Sequence, residues 1–235
     1  MPDKDAIREA VWDELDDSGT ARFPFPPHGR IPNFAGADAA ADRLAETDAW
    51  AAADVVKANP DAPQLPVRRA ALRAGKTLYM AVPRLAEERP FLRLTAGEVD
   101  DIDDATTVGG SAKAGVPVGP AEMEPVELIV SGSVAVDDAG ARIGKGEGYS
   151  DLEFAVLRGF GLVDATTTVA TTVHERQVRA TALPTTPHDV PVDLVVTPER
   201  TRRPDGGDRP GGVDWSALDD GRVAEIPVLR RLRPE

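Results

Sequence analysis

Strand-like and helix-like runs alternate along this chain, and that alternation restricts its fold more than any other feature. Asp3–Asp16 carries Ile7, Val11 and Leu15 at i, i+4 and i+8, a narrow apolar stripe that predicts a helix, with Lys4 and Arg8 together on one face. Ala37–Ala49 reads as a second helix and Ala53–Lys57 as a short strand ended by Asn59-Pro60-Asp61. Val67–Ala74 reads as a helix stopped at Gly75, and Thr77–Val82 as a buried strand stopped at Pro83. Val126–Val136 (VELIVSGSVAV) is the strongest strand signal, and a glycine-rich turn leads from it to a helix over Tyr149–Gly159. Thr167–Val173 and Val192–Thr197 are two further strands. Strands joined through helices need crossover connections, so the expected fold is α/β with a mostly parallel sheet.

Between these elements, RFPFPPHGRIPNFAG holds four prolines and two glycines and is expected to be irregular. Arg202–Gly212 (RRPDGGDRPGG) reads as a flexible linker, after which Trp215, Leu218, Ile226, Val228 and Leu229 return as apolar positions. The expected organisation is one domain over 1–200, a linker over 201–212 and a segment over 213–235 that docks back on the domain.

A net charge of −13 repels phosphates over most approaches and argues against a nucleic-acid surface. Only five of the 27 basic residues are lysines. An acidic, lysine-poor surface suits a high-salt cytoplasm, where screening relieves self-repulsion; a GC-rich genome would leave the same mark. There is no cysteine, which removes disulfides, thiol catalysis and Cys-ligated zinc together. No apolar run approaches the ~18 residues of a membrane span. The acidic N-terminus lacks an apolar signal core, so a cytoplasmic location is expected.

The chemistry concentrates in VAVDDAGARIGKGEGYSDLE, residues 134–153. Gly144, Gly146 and Gly148 at alternate positions let backbone N–H groups converge on an anion, and the helix N-terminus that follows adds positive partial charge. Lys145 can bring a full charge to a phosphate, and Asp151 is an oxygen ligand suited to magnesium. The same residues also fit a plain strand-to-helix turn with Asp151 as a first-turn carboxylate. No histidine pair has metal-ligand spacing, the G-x-S-x-G pattern is absent, and the carboxylate runs at Asp100–Asp104 and Asp219-Asp220 read as solvated faces.

Gly144-Lys145-Gly146-Glu147-Gly148-Tyr149-Ser150-Asp151-Leu152 resembles the G-x-G-G-G-Y-Y-D-[RK] motif of the 5-formyltetrahydrofolate cyclo-ligase family. Glu124-Pro125 before the strand, the lead-in from Asp137 to Gly144, His188-Asp189 before the last strand, and Lys4 with Arg8 are similar to that family as well. Arg30-Ile31-Pro32-Asn33-Phe34, Asn59-Pro60-Asp61, Arg68 and Lys76-Thr77-Leu78 resemble its methenyltetrahydrofolate synthetase domain-containing branch.

The resemblance implies a three-layer α/β/α sandwich of the kind shared with sugar-phosphate isomerases and CoA transferases. It also implies ATP- and magnesium-dependent closure of 5-formyltetrahydrofolate to 5,10-methenyltetrahydrofolate, with a reduced folate and ATP as small-molecule partners and no nucleic acid or membrane. Lys4, Arg8, Gly144, Lys145, Gly146, Glu147, Gly148 and Tyr149 would bind the nucleotide, with Lys145 and Tyr149 as the catalytic pair. Asp151 would hold magnesium, and Arg30, Arg68 and His188 would contact substrate. Glu147, Ser150 and Leu152 depart from the motif and favour a second reading, a non-catalytic nucleotide- or folate-binding module on the same fold.

Overall fold

Residues 3–233 are described by the computed structural model of the chain. It opens with α1 (Lys4–Asp17), β1 (Ala21–Arg22), β2 (Asn33–Phe34), α2 (Ala37–Ala45) and α3 (Asp48–Ala52). The middle supplies β3 (Val55–Ala58), α4 (Leu65–Arg73), β4 (Thr77–Ala81), β5 (Phe91–Leu94), α5 (Ile102–Ala105), α6 (Val108–Ala114), β6 (Val116–Val118) and β7 (Leu128–Val130). The remainder adds β8 (Ala135–Asp137), β9 (Arg142–Ile143), α7 (Tyr149–Gly159), β10 (Thr168–Thr172), β11 (Val178–Arg179), β12 (Leu194–Val196), β13 (Thr201–Arg202) and α8 (Asp220–Glu225).

Eight strands form one sheet in the order β13-β12-β10-β7-β3-β4-β5-β6. The centre, β12 to β4, is parallel, and β13, β5 and β6 are antiparallel at the edges. Central strands read as continuous apolar runs because both of their faces are covered. Alternate residues of β3 show the two layers. Val56 packs with Leu44, Leu72 and Leu78 on the side of α2 and α4, while Val55 packs with Val156 and Leu157 on the side of α7. The result is a three-layer α/β/α sandwich. Among the described residues no helix is long and apolar enough to cross a membrane.

Two expectations are corrected. Val126–Val136 is not one strand: β7 pairs in the large sheet, and β8 pairs with β9 and β11 in a separate three-stranded sheet. The chain breaks at Gly132, where a Cβ would lie 2.9 Å from Ile31 Cγ1 and 3.1 Å from Asp61 Oδ2. Thr171 secures the break, donating to the Ser131 carbonyl at 2.8 Å and bonding the Ser133 hydroxyl at 2.8 Å. The helix read over Ala37–Ala49 is also two helices, because the Thr47 hydroxyl accepts from Trp50 N–H at 3.2 Å and starts α3.

Beyond β13 the backbone has no regular structure until residue 215, and Arg209 ties it to the Thr167 carbonyl at 2.7 Å. Ile226, Val228 and Leu229 are buried in the apolar cluster that contains Val156 and Leu157 of α7.

Candidate active site

β9 delivers the chain into Gly144–Gly148, and α7 starts at the next residue. Gly146 and Gly148 lie at φ +112° and +71°, backbone positions that side-chain-bearing residues avoid. No side chain caps α7, so its first-turn N–H groups face outward at the positive end of the helix dipole.

Cations from distant elements surround this turn. Arg8 of α1 donates from Nε to the Gly144 carbonyl at 2.7 Å and pairs with Asp5. Lys4 meets Asp189 at 2.5 Å, Lys145 meets Glu147 at 2.8 Å, and Arg142 meets Asp151 at 2.6 Å. The Asp151 oxygen that accepts from Arg142 also accepts from Val190 N–H at 3.0 Å, and its second oxygen has no hydrogen bond among the described residues. Arg142 Nε is buried without an acceptor. One carboxylate oxygen is thus left free beside an uncapped helix start, a donor of the type a hard cation accepts.

Beneath the turn lies a buried ion pair. Lys57 of β3 bonds Glu153 of α7 and reaches Asn59 Oδ1 at 3.3 Å, and the Ser150 hydroxyl donates to Ser131 Oγ at 3.3 Å. The strand alternation that sends Val55 toward α7 sends Lys57 there too.

The turn, Asp61, Arg84, Asp151 and Glu153 bound a cavity of about 270 Å³. It shares Ile31, Asp61, Val82, Pro83 and Lys145 with a larger cavity of about 1160 Å³, whose apolar wall includes Phe23, Leu65, Met80 and Leu92. The two therefore adjoin, a polar end beside a roomy, largely apolar one.

The residues expected from sequence are placed unequally. Tyr149 lines the smaller cavity with its ring 4.8 Å from the Arg222 guanidinium, and exposed Arg30 lines the larger one. Arg68, expected as a substrate cation, lies on the wall of the larger cavity with three of its N–H groups turned to backbone carbonyls. It is 1% exposed and donates to the carbonyls of Asn59, Asp61 and Thr106 at 2.6, 2.9 and 2.8 Å. Burial pulls its pKa down to about 10. His188 bonds the Thr186 hydroxyl at 3.0 Å and faces a third space of about 100 Å³, which shares Gly148 and Asp151 with the smaller cavity.

Arg142, the Lys57–Glu153 pair, Asp61 and Arg84 were not singled out from the sequence. Arg142 and Asp61 did have a signal, the first in the lead-in from Asp137 to Gly144 and the second in Asn59-Pro60-Asp61, though neither was assigned a role. Burial pushes the Asp61 carboxyl above its ordinary range, with Lys145 opposing and Glu153 adding to the shift. A carboxyl raised in the folded state holds its proton more tightly there than in the unfolded chain. Stability therefore falls as pH rises from about 3.9 toward the raised folded value, and stays lowered above it. Asp61→Asn is expected to melt higher than wild type at neutral pH, with the gain gone below about pH 4. Thermal melts showing the same gain at both pH values would refute this.

The sequence model of the 5-formyltetrahydrofolate cyclo-ligase family matches residues 2–198. A methenyltetrahydrofolate synthase domain-containing protein of Mus musculus is 42% identical over 98% of this chain and 63% of its own length. The Homo sapiens protein of that name is 38% identical over 98% of this chain and 61% of its own length. The chain thus spans less than two thirds of these relatives. The solution structure of Aquifex aeolicus 5,10-methenyltetrahydrofolate synthetase is similar in fold, with a TM-score of 0.57 at 19% identity over 87% of this chain and 94% of that one.

Proposed function

The chain belongs to the 5-formyltetrahydrofolate cyclo-ligase family, and from that premise we propose that it closes 5-formyltetrahydrofolate to 5,10-methenyltetrahydrofolate with ATP and magnesium. The observation that carries the reading is the pairing of an uncapped, glycine-lined helix start with an adjoining cavity of about 1160 Å³, room for a pterin beside a triphosphate.

In this reading the N–H groups of Gly144–Tyr149 cradle the phosphates, with Lys4, Arg8 and Lys145 adding positive charge. The free oxygen of Asp151 would hold magnesium, which when bound would supply positive charge to the phosphates. The reduced folate lies in the larger cavity, with Arg30 near its anionic tail. The formyl oxygen, a poor leaving group, accepts the γ-phosphoryl as ADP departs. N10 then bonds the formyl carbon and gives up its proton, and the oxygen leaves within phosphate. What the protein contributes is alignment and charge neutralisation in a partly desolvated cleft.

Besides the sequence departures at Glu147, Ser150 and Leu152, one contact favours a non-catalytic binding module: Glu147 sits 2.8 Å from Lys145 and offsets the cation of the turn. The deciding experiment follows absorbance of methenyltetrahydrofolate from 5-formyltetrahydrofolate, ATP and magnesium in concentrated potassium chloride. Turnover that stops when magnesium is chelated is the expected result. ATP binding in calorimetry without turnover would favour the module, and the absence of both would overturn the assignment.

A further inference from the structure

Among the described residues, Arg84 is the one cation lining the smaller cavity that no carboxylate neutralises. Lys4, Arg8, Arg142 and Lys145 each have a carboxylate partner, and the deeper Lys57 has Glu153. Among the described residues, Arg84 has no carboxylate within 4.0 Å and makes no side-chain hydrogen bond. It is exposed and lines the smaller cavity together with Gly144, Lys145, Gly148 and Asp151.

Its backbone is unusual too. Arg84 and Leu85 lie at φ +59° and +52°, and they are the described non-glycine residues in the left-handed region. L-residues with side chains avoid that region, and when they occupy it the surrounding structure must hold them there. The holding parts are visible. Leu85 is fully buried in the apolar cluster with Leu157 of α7, and its N–H donates to the Val82 carbonyl at 3.1 Å. Glycine would take up this turn without strain. The chain instead carries an arginine there, at the boundary of the phosphate-sized and folate-sized spaces, where Val82 and Pro83 line both.

We infer that Arg84 is a catalytic residue that contacts the terminal phosphoryl group of the bound triphosphate and stabilises its transfer to the formyl oxygen. The inference rests on the ATP-dependent reading above. It supplies what that reading lacks, because the Lys145 charge is offset by Glu147 and the motif's closing basic residue is here the buried Leu152. A guanidinium without a counter-charge keeps its field for the ligand and matches phosphoryl oxygens in a bidentate manner. The step itself is unchanged: the phosphorus–oxygen bond to ADP breaks as that to the formyl oxygen forms, and Arg84 moves no proton.

The left-handed backbone makes Arg84→Gly a discriminating variant. Glycine relieves the strain while deleting the guanidinium, so the variant is expected to melt at the wild-type temperature or above. Its affinity for ATP is expected to fall about tenfold or more, with that for ADP changing less than about threefold, because the deleted contact is to the terminal phosphoryl. Turnover is expected to fall about 100-fold, with partial recovery in Arg84→Lys. Equal ATP affinity in wild type and Arg84→Gly, or equal losses for ATP and ADP, overturns this inference and leaves the cyclo-ligase reading intact. Wild-type protein that binds neither nucleotide overturns both.

Discussion

Asp151→Asn is expected to lower magnesium-dependent turnover by about 10³-fold while the protein stays folded. The side chain does two jobs with two oxygens. Oδ1 accepts from Arg142 at 2.6 Å and from Val190 N–H at 3.0 Å, which fixes the carboxyl plane, and the other oxygen faces the cleft. Asparagine can keep the first pair of bonds and cannot supply an anionic ligand. Alanine is a poorer choice, because it strands an Arg142 side chain that is only 2% exposed. Breaking such a buried pair from one side costs about 3–5 kcal/mol, enough to confuse lost catalysis with lost folding. Turnover and calorimetric ATP binding should be measured across magnesium concentrations. An asparagine variant that retains more than about a tenth of wild-type turnover at saturating magnesium would remove Asp151 from the metal site.

The second large effect is on stability. Lys57→Met is expected to cost about 3–5 kcal/mol in denaturant unfolding, a large part of the 5–15 kcal/mol typical of a domain. Lys57 is 1% exposed and its partner Glu153 5%, so removing the lysine leaves a carboxylate unpaired between the sheet and α7. The double variant Lys57→Met/Glu153→Leu is expected to recover most of the loss, because replacing both charges with apolar groups of similar volume ends the desolvation penalty of each. If the double variant is no more stable than the single one, the pair is not what Lys57→Met breaks.

Local signals in the sequence carry the parts of the fold that local physics decides. The helix over Tyr149–Gly159 is read to the residue, because glycines mark its start and its apolar positions have helical spacing. α1 is read to within a residue, and Asp3 caps it by accepting from Ala6 N–H at 2.8 Å. The strand read over Val126–Val136 hides its own break, because apolar residues continue through Gly132 while the pairing partner changes from β10 to β11. Apolar character reports burial but not which sheet a strand joins. β5 and β6 pass unnoticed because each is only a few residues long, and Pro117 sits within β6.

The site divides the same way. Its glycine turn is legible because the glycines, Lys145 and the helix start lie within a few consecutive residues. The Lys57–Glu153 pair, the Lys4–Asp189 pair and the Arg84 backbone depend on contacts between distant positions or on a dihedral angle, and neither leaves a local pattern. Arg68 shows the converse: its charge suggested a ligand from sequence alone, whereas the fold turns three of its five N–H groups to backbone carbonyls at the wall of the larger cavity.

Arg8 and Arg222 grip the two ends of the glycine turn, one through the Gly144 carbonyl and the other through the Glu147 carbonyl. They come from opposite ends of the chain, whereas β3, β4, β5 and β6 pair with strands that adjoin them in sequence. Closing a longer loop of unstructured chain costs more entropy, so neighbouring strands pair before distant grips close. During ribosomal synthesis the sheet can begin to assemble while the turn is held from one side only. The turn acquires its second grip only after Arg222 has cleared the exit tunnel, so it becomes rigid later than the strands around it.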